Sequence, residues 1–577
     1  MAKLSNLNHF VYAPQVQDIG RSRFPRRFNH KTSMISGQIV PILFDEVLPH
    51  DTWKIDLAAL VRSVTPAVPV MDSAYIDFYA FFTPMRLLTK SSKDWQEICG
   101  ENTGGYWAQT SEVTLETSGN LLKTSQSSSP GTCTIEPQSV LNYLGYPILN
   151  HDSSSVNQVD FYFPAMRNVN LIYNEYFRDQ NTQPPIEFTW DVAQINKDNK
   201  GGENYPYWSN KFPDYFTTAL PSPQKAPSVL IPLFDGDAPV YSGAVNTGAT
   251  DKNTSSTSWT RTDGNVWSNN PRGYTLSLHP TLPIAAAGTQ ADSNDSPSAA
   301  GPSARVSNLW ADLAAASGAT VNQMRFAFAL QRLFEKDARG GTRYIETLRN
   351  HFGTAPLDAT LQRPQYLGGK RIPLSMLQVL QTSETTENSP LGSTGAFSNS
   401  SMNADVCPLH SFTEFGYITV VATIRTQQTY SQGLPRMFSR NRRFDFYWPV
   451  FANLGEQAIL KKEMYIPYTG GTSSADQNEN VFGYQEAWAE YRFHPNQVSG
   501  YLAPNANDPI LTAWTYALNL SDYPVLNQEF MKQPRSQVDD TLAVTDSKYQ
   551  FICDFEFDCD VVRPMPLYSI PGLIDHH

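Results

Sequence analysis

The chain is short of long apolar runs, of cysteine and of charge, and each shortage removes a class of protein. No apolar run approaches the ~20 residues that a membrane-spanning helix needs, so no membrane insertion is expected. Residues 1–30 lack the apolar segment of a signal peptide and carry Arg21, Arg23, Arg26 and Arg27 instead. The five cysteines, Cys99, Cys133, Cys407, Cys553 and Cys559, form no CxxC and no metal-type spacing. Their odd number argues against a complete set of internal disulfides and fits a reducing compartment. Cys553 and Cys559 lie on one expected strand, ~20 Å apart, well beyond the ~7 Å Cα limit of a disulfide.

Catalytic signatures fail position by position. Gly369 and Lys370 resemble the end of a phosphate-binding loop, but Pro364 stands where the first glycine belongs and Arg371 where Ser or Thr belongs. There is no HExxH and no GxSxG. The histidines, including His9, His30, His50, His151, His351 and His410, are scattered without partners at ligand spacing. Neither a catalytic site nor a cofactor is expected. Paired carboxylates are set by a separation in space, so the segments around Glu486, Trp488 and Glu490, and Trp190 with Asp191, leave open a carbohydrate-binding or sugar-active β-protein. The best metal candidates are Asp554, Glu556, Asp558 and Asp560, two apart on one strand face. Their ~6.6 Å spacing is too long for one ion to use all four, and a solvated or partner-paired face is the other reading.

Charged residues make up 17% of the chain and aromatic residues 12%, a balance that suits surface buried against partners. At 577 residues the length would ordinarily mean several domains, yet a β-barrel with large loop insertions keeps one core, and 41 prolines with 33 glycines supply the breakers. The chain reads as mainly β. From residue 551 onward Phe551, Cys553, Phe555, Phe557, Cys559 and Val561 alternate with the four acids named above, the period of a half-buried strand. Residues 417–429 place Ile418, Val420, Ala422 and Ile424 on one face, and residues 75–83 are almost continuously apolar, as in a strand covered on both sides.

Between these distant strands lie polar excursions. Residues 236–320 are Ser, Thr, Gly, Asn, Asp, Pro or Ala at 64 of 85 positions. Such a stretch cannot bury a core of its own, and it is either a disordered linker or, given Trp259, Trp267 and Tyr274, an ordered surface loop. Residues 111–134, 383–405 and 469–480 read as further surface loops. A few short helices complete the inventory, the best at 321–338, with Met324, Ala327, Phe328, Leu330, Leu333 and Phe334 as an apolar stripe. Thr342 is positioned to cap a second helix that ends before Gly353.

The net charge is −12, but residues 1–31 hold six basic residues against one acid, a basic arm on an acidic body. Phosphate neutralisation drives nucleic-acid binding, so Arg21, Arg23, Arg26, Arg27 and Lys31, with Phe24 and Phe28 as stacking platforms, are candidates to face DNA. The competing reading pairs these cations with acidic residues at a subunit contact.

Several segments resemble the major capsid proteins of the Microviridae, in particular the gokushoviruses. They are FPRRFNH at 24–30, EVLPHDTW at 46–53, RSVTPAVPVMD at 62–72, FFTPMRL at 81–87, IYNEYFRDQN at 172–181, DYFTTALPSPQK at 214–225, EKDARGGTRY at 335–344, RPQYLGG at 363–369, FGYQEAWAEYR at 482–492 and RPMPLYSIPGLID at 563–575. They occur in the family's order and span essentially the whole chain. His50 and Trp53 depart from it, standing where the family more often has Gly and Phe, and residues 236–320 have no firm match.

The resemblance implies an eight-stranded viral jelly-roll β-barrel with long loop insertions. It also implies a structural role in the virion as one of sixty copies of a T=1 icosahedral shell, built through pentamers around a circular single-stranded DNA genome. Residues 236–320 would then be a three-fold protrusion used for host attachment, with Trp259, Trp267 and Tyr274 as candidates. Residues 563–577, with Arg563, Pro564, Pro566, Tyr568 and Pro571, would be an extended arm between subunits, because prolines lack the donors of a central strand. Candidate partners beyond other copies are the genome, a small basic DNA-binding protein to balance its charge, a scaffolding protein and a host cell-surface receptor, with assembly in the host cytoplasm.

Overall fold

A computed structural model of the chain describes residues 20–89, 137–148, 164–186, 207–227, 321–374, 401–467, 477–504, 511–543 and 548–568, with short strands and turns between them. The chain divides into two compact units, Met1–Lys225 with Asp337–His577, and Ala226–Lys336.

Among the described residues of the first unit, eight strands run for nine residues or more. They are β1 (Ser22–Met34), β2 (Ile39–Val47), β3 (Thr52–Ser63), β4 (Ala74–Pro84), β5 (Gln365–Leu374), β6 (Ser401–Ser411), β7 (Gly416–Thr426) and β8 (Phe551–Arg563). Two four-stranded antiparallel sheets result, in the orders β1-β8-β3-β6 and β5-β4-β7-β2. The pairing is nested: β1 with β8, β2 with β7, β3 with β6 and β4 with β5. Partners lie up to about five hundred residues apart, so the sheets form only after long excursions have closed.

The alternation in β8 does what period two requires. Phe551, Cys553, Phe555, Phe557, Cys559 and Val561 are all buried and meet Ile76, Phe78, Ile418 and Val420 of the other sheet in one core. Phe78 meets Phe555 edge to face at 5.9 Å. Each buried phenylalanine contributes roughly 1.5–3 kcal/mol through burial alone. Burial pushes the Cys407 and Cys559 thiols up to about 12, and Cys553 further still, so these free cysteines act as small apolar groups.

β4 is covered on both faces, as its almost continuous apolar run predicts. Its far side carries Phe81, which with Ile39 and Val421 packs against helix α1 (Pro164–Ile172) through Met166, Val169 and Ile172. Asn168 of that helix donates to the Thr419 hydroxyl at 2.6 Å, holding the helix to β7.

The glycines of the false phosphate loop lie in β5. A side chain on Gly369 would collide with the Phe78 carbonyl, 2.5 Å from where its Cβ would stand. Gly368 opens a bulge, and Arg371 pairs at 2.6 Å with buried Asp77. His50 has φ +72°, the left-handed region that favours glycine, which accounts physically for the residue that the resembling sequences more often carry there. Trp53 uses what phenylalanine lacks, donating Nε1–H to Asp51 at 3.2 Å.

Three expectations change. Residues 401–405, read as loop, belong to β6, where Met402 and Ala404 point into the core while Ser401, Asn403 and Asp405 dilute the signal. The helix Val321–Arg339 buries Ala327, but Met324, Phe328 and Leu333 of the expected stripe are exposed. The next helix, Tyr344–Phe352, is capped by Arg343 rather than Thr342; the Arg343 backbone N–H donates to Glu346, and the Thr342 hydroxyl goes to Asn181. In the second unit three short antiparallel pairings nest, Phe234–Asp235 with Ser317–Gly318, Val240–Ser242 with Leu309–Ala311, and Trp259–Thr260 with Arg305–Val306. Of the loop candidates Trp259 lies on a strand, while Trp267 and Tyr274 fall outside the described residues.

Candidate functional surfaces

Residues 22–31 are part of β1, an edge strand, and not a free arm. Period two splits the basic cluster. Arg23, Arg27 and Lys31 point to the outer face and meet the acids of β8: Arg27 and Lys31 face Asp558 and Asp554 in register at 3.0 and 3.7 Å, and Arg23, opposite Val562, reaches diagonally to Asp560 with two bonds of 3.1 and 2.6 Å. The Arg23 hydrogen bond holds the Asp560 carboxyl below its ordinary range. Arg26 and Phe28 point the other way. Arg26 bridges to Asp45 at 2.5 Å and lies over the Trp53 ring, while Phe28 stacks on Phe557 with centroids 5.0 Å apart. Phe24 shares that side, opposite Val561, and Arg21 bonds the Thr52 hydroxyl. The candidates to face DNA are therefore largely committed within the chain.

The same contacts answer for the acidic face. Asp554, Asp558 and Asp560 each take a basic partner from β1, and Glu556 stays exposed. Among the described residues no group of three His, Cys, Asp or Glu is placed to hold a metal ion.

At the end of β8 Arg563 turns inward. Its Nε donates at 2.9 Å to Asp51, which is fully buried, and its Nη2 to the Glu46 carbonyl at 2.5 Å. Arg563 is thus a fixed terminus of the sheet. Met565, Leu567 and Tyr568 beyond it are exposed, with Pro564 and Pro566 between them, and Pro571 falls outside the described residues.

A third surface went unread in the sequence. Tyr215, Phe216, Tyr430, Ile459, Met464, Phe482 and Phe530 form a separate apolar cluster, over which a cavity of about 330 Å³ opens. Two buried ion pairs line it, Arg436 with Glu463 at 2.8 Å and Arg440 with Glu490 at 2.7 Å. Burial pushes the Glu463 carboxyl up against the opposing pull of Arg436. Beside the cavity run the exposed side chains of Phe438, Phe444, Phe446, Tyr447, Trp448 and Val450. The signal was compositional: residues 436–451 hold four arginines and six aromatic residues, without the periodicity of helix or strand. Glu486 and Glu490, considered for a sugar cleft, are each held by an arginine, Glu486 by Arg492 at 2.5 Å. Trp190 and Asp191 fall outside the described residues.

The sheets, an outer face with its charges already matched and a large exposed aromatic surface describe a scaffold that meets partners. A family model described as capsid protein (F protein) matches residues 14–573. The chain belongs to the capsid protein (F protein) family. It is 35% identical to capsid protein VP1 of Chlamydia phage 1, with 98% of each chain covered, and 35% identical to capsid protein VP1 of Bdellovibrio phage phiMH2K, again over 98% of each. Capsid protein VP1 of Spiroplasma virus 4 is 33% identical over 99% of each chain. These matches agree with the resemblance to Microviridae capsid proteins and favour it over a sugar-active protein. They make the family role a structural one. Among the described residues of this capsid protein no helix is long and apolar enough to cross a membrane.

Proposed function

We propose that this capsid protein assembles with itself, sixty copies in a T=1 icosahedral shell enclosing a circular single-stranded DNA genome, and that each copy contributes an eight-stranded jelly roll. The observation that carries the fold is the nested pairing of first strand with eighth, second with seventh, third with sixth and fourth with fifth, divided between two facing sheets. A long hairpin wrapped into two sheets is the jelly-roll arrangement of viral capsid domains. The full-length family match supports the shell.

Five-fold contacts of such a shell are heterologous and close only at the right angle, so many moderate interfaces suffice. In this reading the exposed residues 565–568 begin an arm that lies on a neighbouring copy. The polar stretch 236–320 forms a protrusion that meets a host receptor, and a small basic protein helps neutralise the genome. A scaffolding protein would assist assembly in the host cytoplasm, and the finished chain resides in the virion.

Electron microscopy of the purified full-length chain tests the proposal. Closed isometric shells are expected; a preparation that stays monomeric under all assembly conditions would refute it. In the same experiment a chain ending at Arg563 should stay folded and form no shells. A chain lacking residues 236–320 should form shells that no longer adsorb to host cells.

A further inference from the structure

Residues 436–451 carry four arginines and a single acid, Asp445, in a chain whose net charge is −12. Two of the arginines are spent on Glu463 and Glu490. Arg442 and Arg443 are exposed and have no ion pair among the described residues; Arg443 lies over the Trp448 ring at 4.9 Å. The Asp445 carboxylate accepts from the backbone N–H groups of Asn441 and Arg442, which fixes the turn that presents both side chains.

Rings of this segment meet those of residues 488–491. Tyr447 meets Trp488 at 5.9 Å and Tyr491 at 6.3 Å, and the Arg440 guanidinium lies over Tyr491 at 4.4 Å. Tyr491 is also a wall of the 330 Å³ cavity, whose size falls within the ~300–1,000 Å³ of small-molecule sites. Three residues lining that cavity hold buried polar atoms without a hydrogen-bond partner among the described residues, Glu490 Oε2, Arg440 Nε and Ser431 Oγ. A carboxylate oxygen so placed accepts from an exocyclic amino group such as that of cytosine.

We propose that this surface holds unpaired nucleotides of single-stranded DNA. The exposed rings take base faces, Arg442 and Arg443 take phosphates, and the cavity takes one base against Tyr491 and Glu490. Successive aromatic rings with unpaired cations are the chemistry that binds single strands without reading sequence. A second copy of this chain is the competing occupant, and the acidic face of β8, already matched by β1, is not the surface it would bring to these arginines. The proposal rests on the shell reading for the source of the DNA, and not for the binding itself.

The test is fluorescence anisotropy of the full-length chain with a labelled single-stranded 20-mer and with its duplex, across a salt series. The single strand should bind more tightly. Arg442→Ala with Arg443→Ala should reduce the slope of log affinity against log salt by about 1.4, two phosphates at ~0.7 each. Phe444→Ala or Tyr447→Ala should weaken binding roughly fivefold or more with the slope unchanged. Arg23→Ala with Arg27→Ala should leave both quantities as they were. No binding by the unaltered chain, or equal binding by all variants, would overturn the proposal. So would arginine variants that bind the 20-mer normally yet form no shells by electron microscopy, which would make the surface a contact between copies. An unaltered chain that binds the 20-mer and never forms shells would instead count against the shell reading alone.

Discussion

Residues 21–31 and residues 436–451 are both rich in arginine and aromatic side chains, yet they reach opposite electrostatic states. In the first, strand geometry sends Arg23, Arg27 and Lys31 to one face, where β8 presents Asp558 and Asp554 opposite Arg27 and Lys31, and Asp560 diagonally to Arg23. In the second, the backbone makes short turns at Arg436–Ser439, Arg443–Asp445 and Pro449–Phe451, and among the described residues no strand pairs with this segment to supply acids to Arg442 and Arg443. A count of basic residues therefore says little about where a polyanion binds. The partner strand decides whether the charge is available.

The sharpest way to break this comparison lies inside the second region. Arg440 and its partner Glu490 are both largely buried, whereas Arg442, two residues on, is exposed. Removing one member of a buried pair strands the other charge, so Arg440→Ala should lower stability by about 3 kcal/mol. Arg442→Ala should cost less than ~0.5 kcal/mol. Urea denaturation of the full chain measures both, and equal losses would show that pairing does not separate these arginines.

Lys211 shows what burial does to a cation under weaker compensation. Its ammonium lies over the Phe530 ring at 4.0 Å, and desolvation pulls it down to about 8 despite Asp214 and Glu529 nearby. An unfolded lysine titrates near ~10.4, so between pH 8 and that value the unfolded chain holds more protons, and stability must rise with pH. Lys211→Met should remove that rise and add on the order of 2 kcal/mol at pH 7. Melting temperatures from pH 7 to 10 would show it, and an unchanged pH slope would place the origin elsewhere.

Much of the fold was legible because β8, β7 and β4 carry their alternation or continuity in large apolar side chains. β6 was not, since Asn403 and Asp405 give one face the composition of a loop while Met402 and Ala404 make the other. The acids of β8 and the cations of β1 could each be seen, but their pairing joins residues more than five hundred positions apart. The cavity was hidden for the same reason: residues 215–216, 430–440, 463 and 490–499 meet there without any local pattern.

The smallest expected effect tests the first region directly. If the acids of the neighbouring strand are what silence Arg23 and Arg27, then Asp558→Asn with Asp560→Asn should release them without changing the fold, because both carboxylates lie on the exposed face of β8 and the core beneath is untouched. The altered chain should gain affinity for a single-stranded 20-mer, with a salt slope steeper by up to about 1.4 for two added phosphate contacts. Acidification is a second route to the same state. The Asp560 carboxyl is held low, so its pairing is complete above the ordinary carboxylate range near ~3.9 and is lost only as pH falls through the lower folded value. At pH 5 the unaltered chain should therefore still show its neutral-pH slope, while the double variant shows the steeper one. Identical slopes for the two chains at both pH values would mean that β8 does not control the availability of β1.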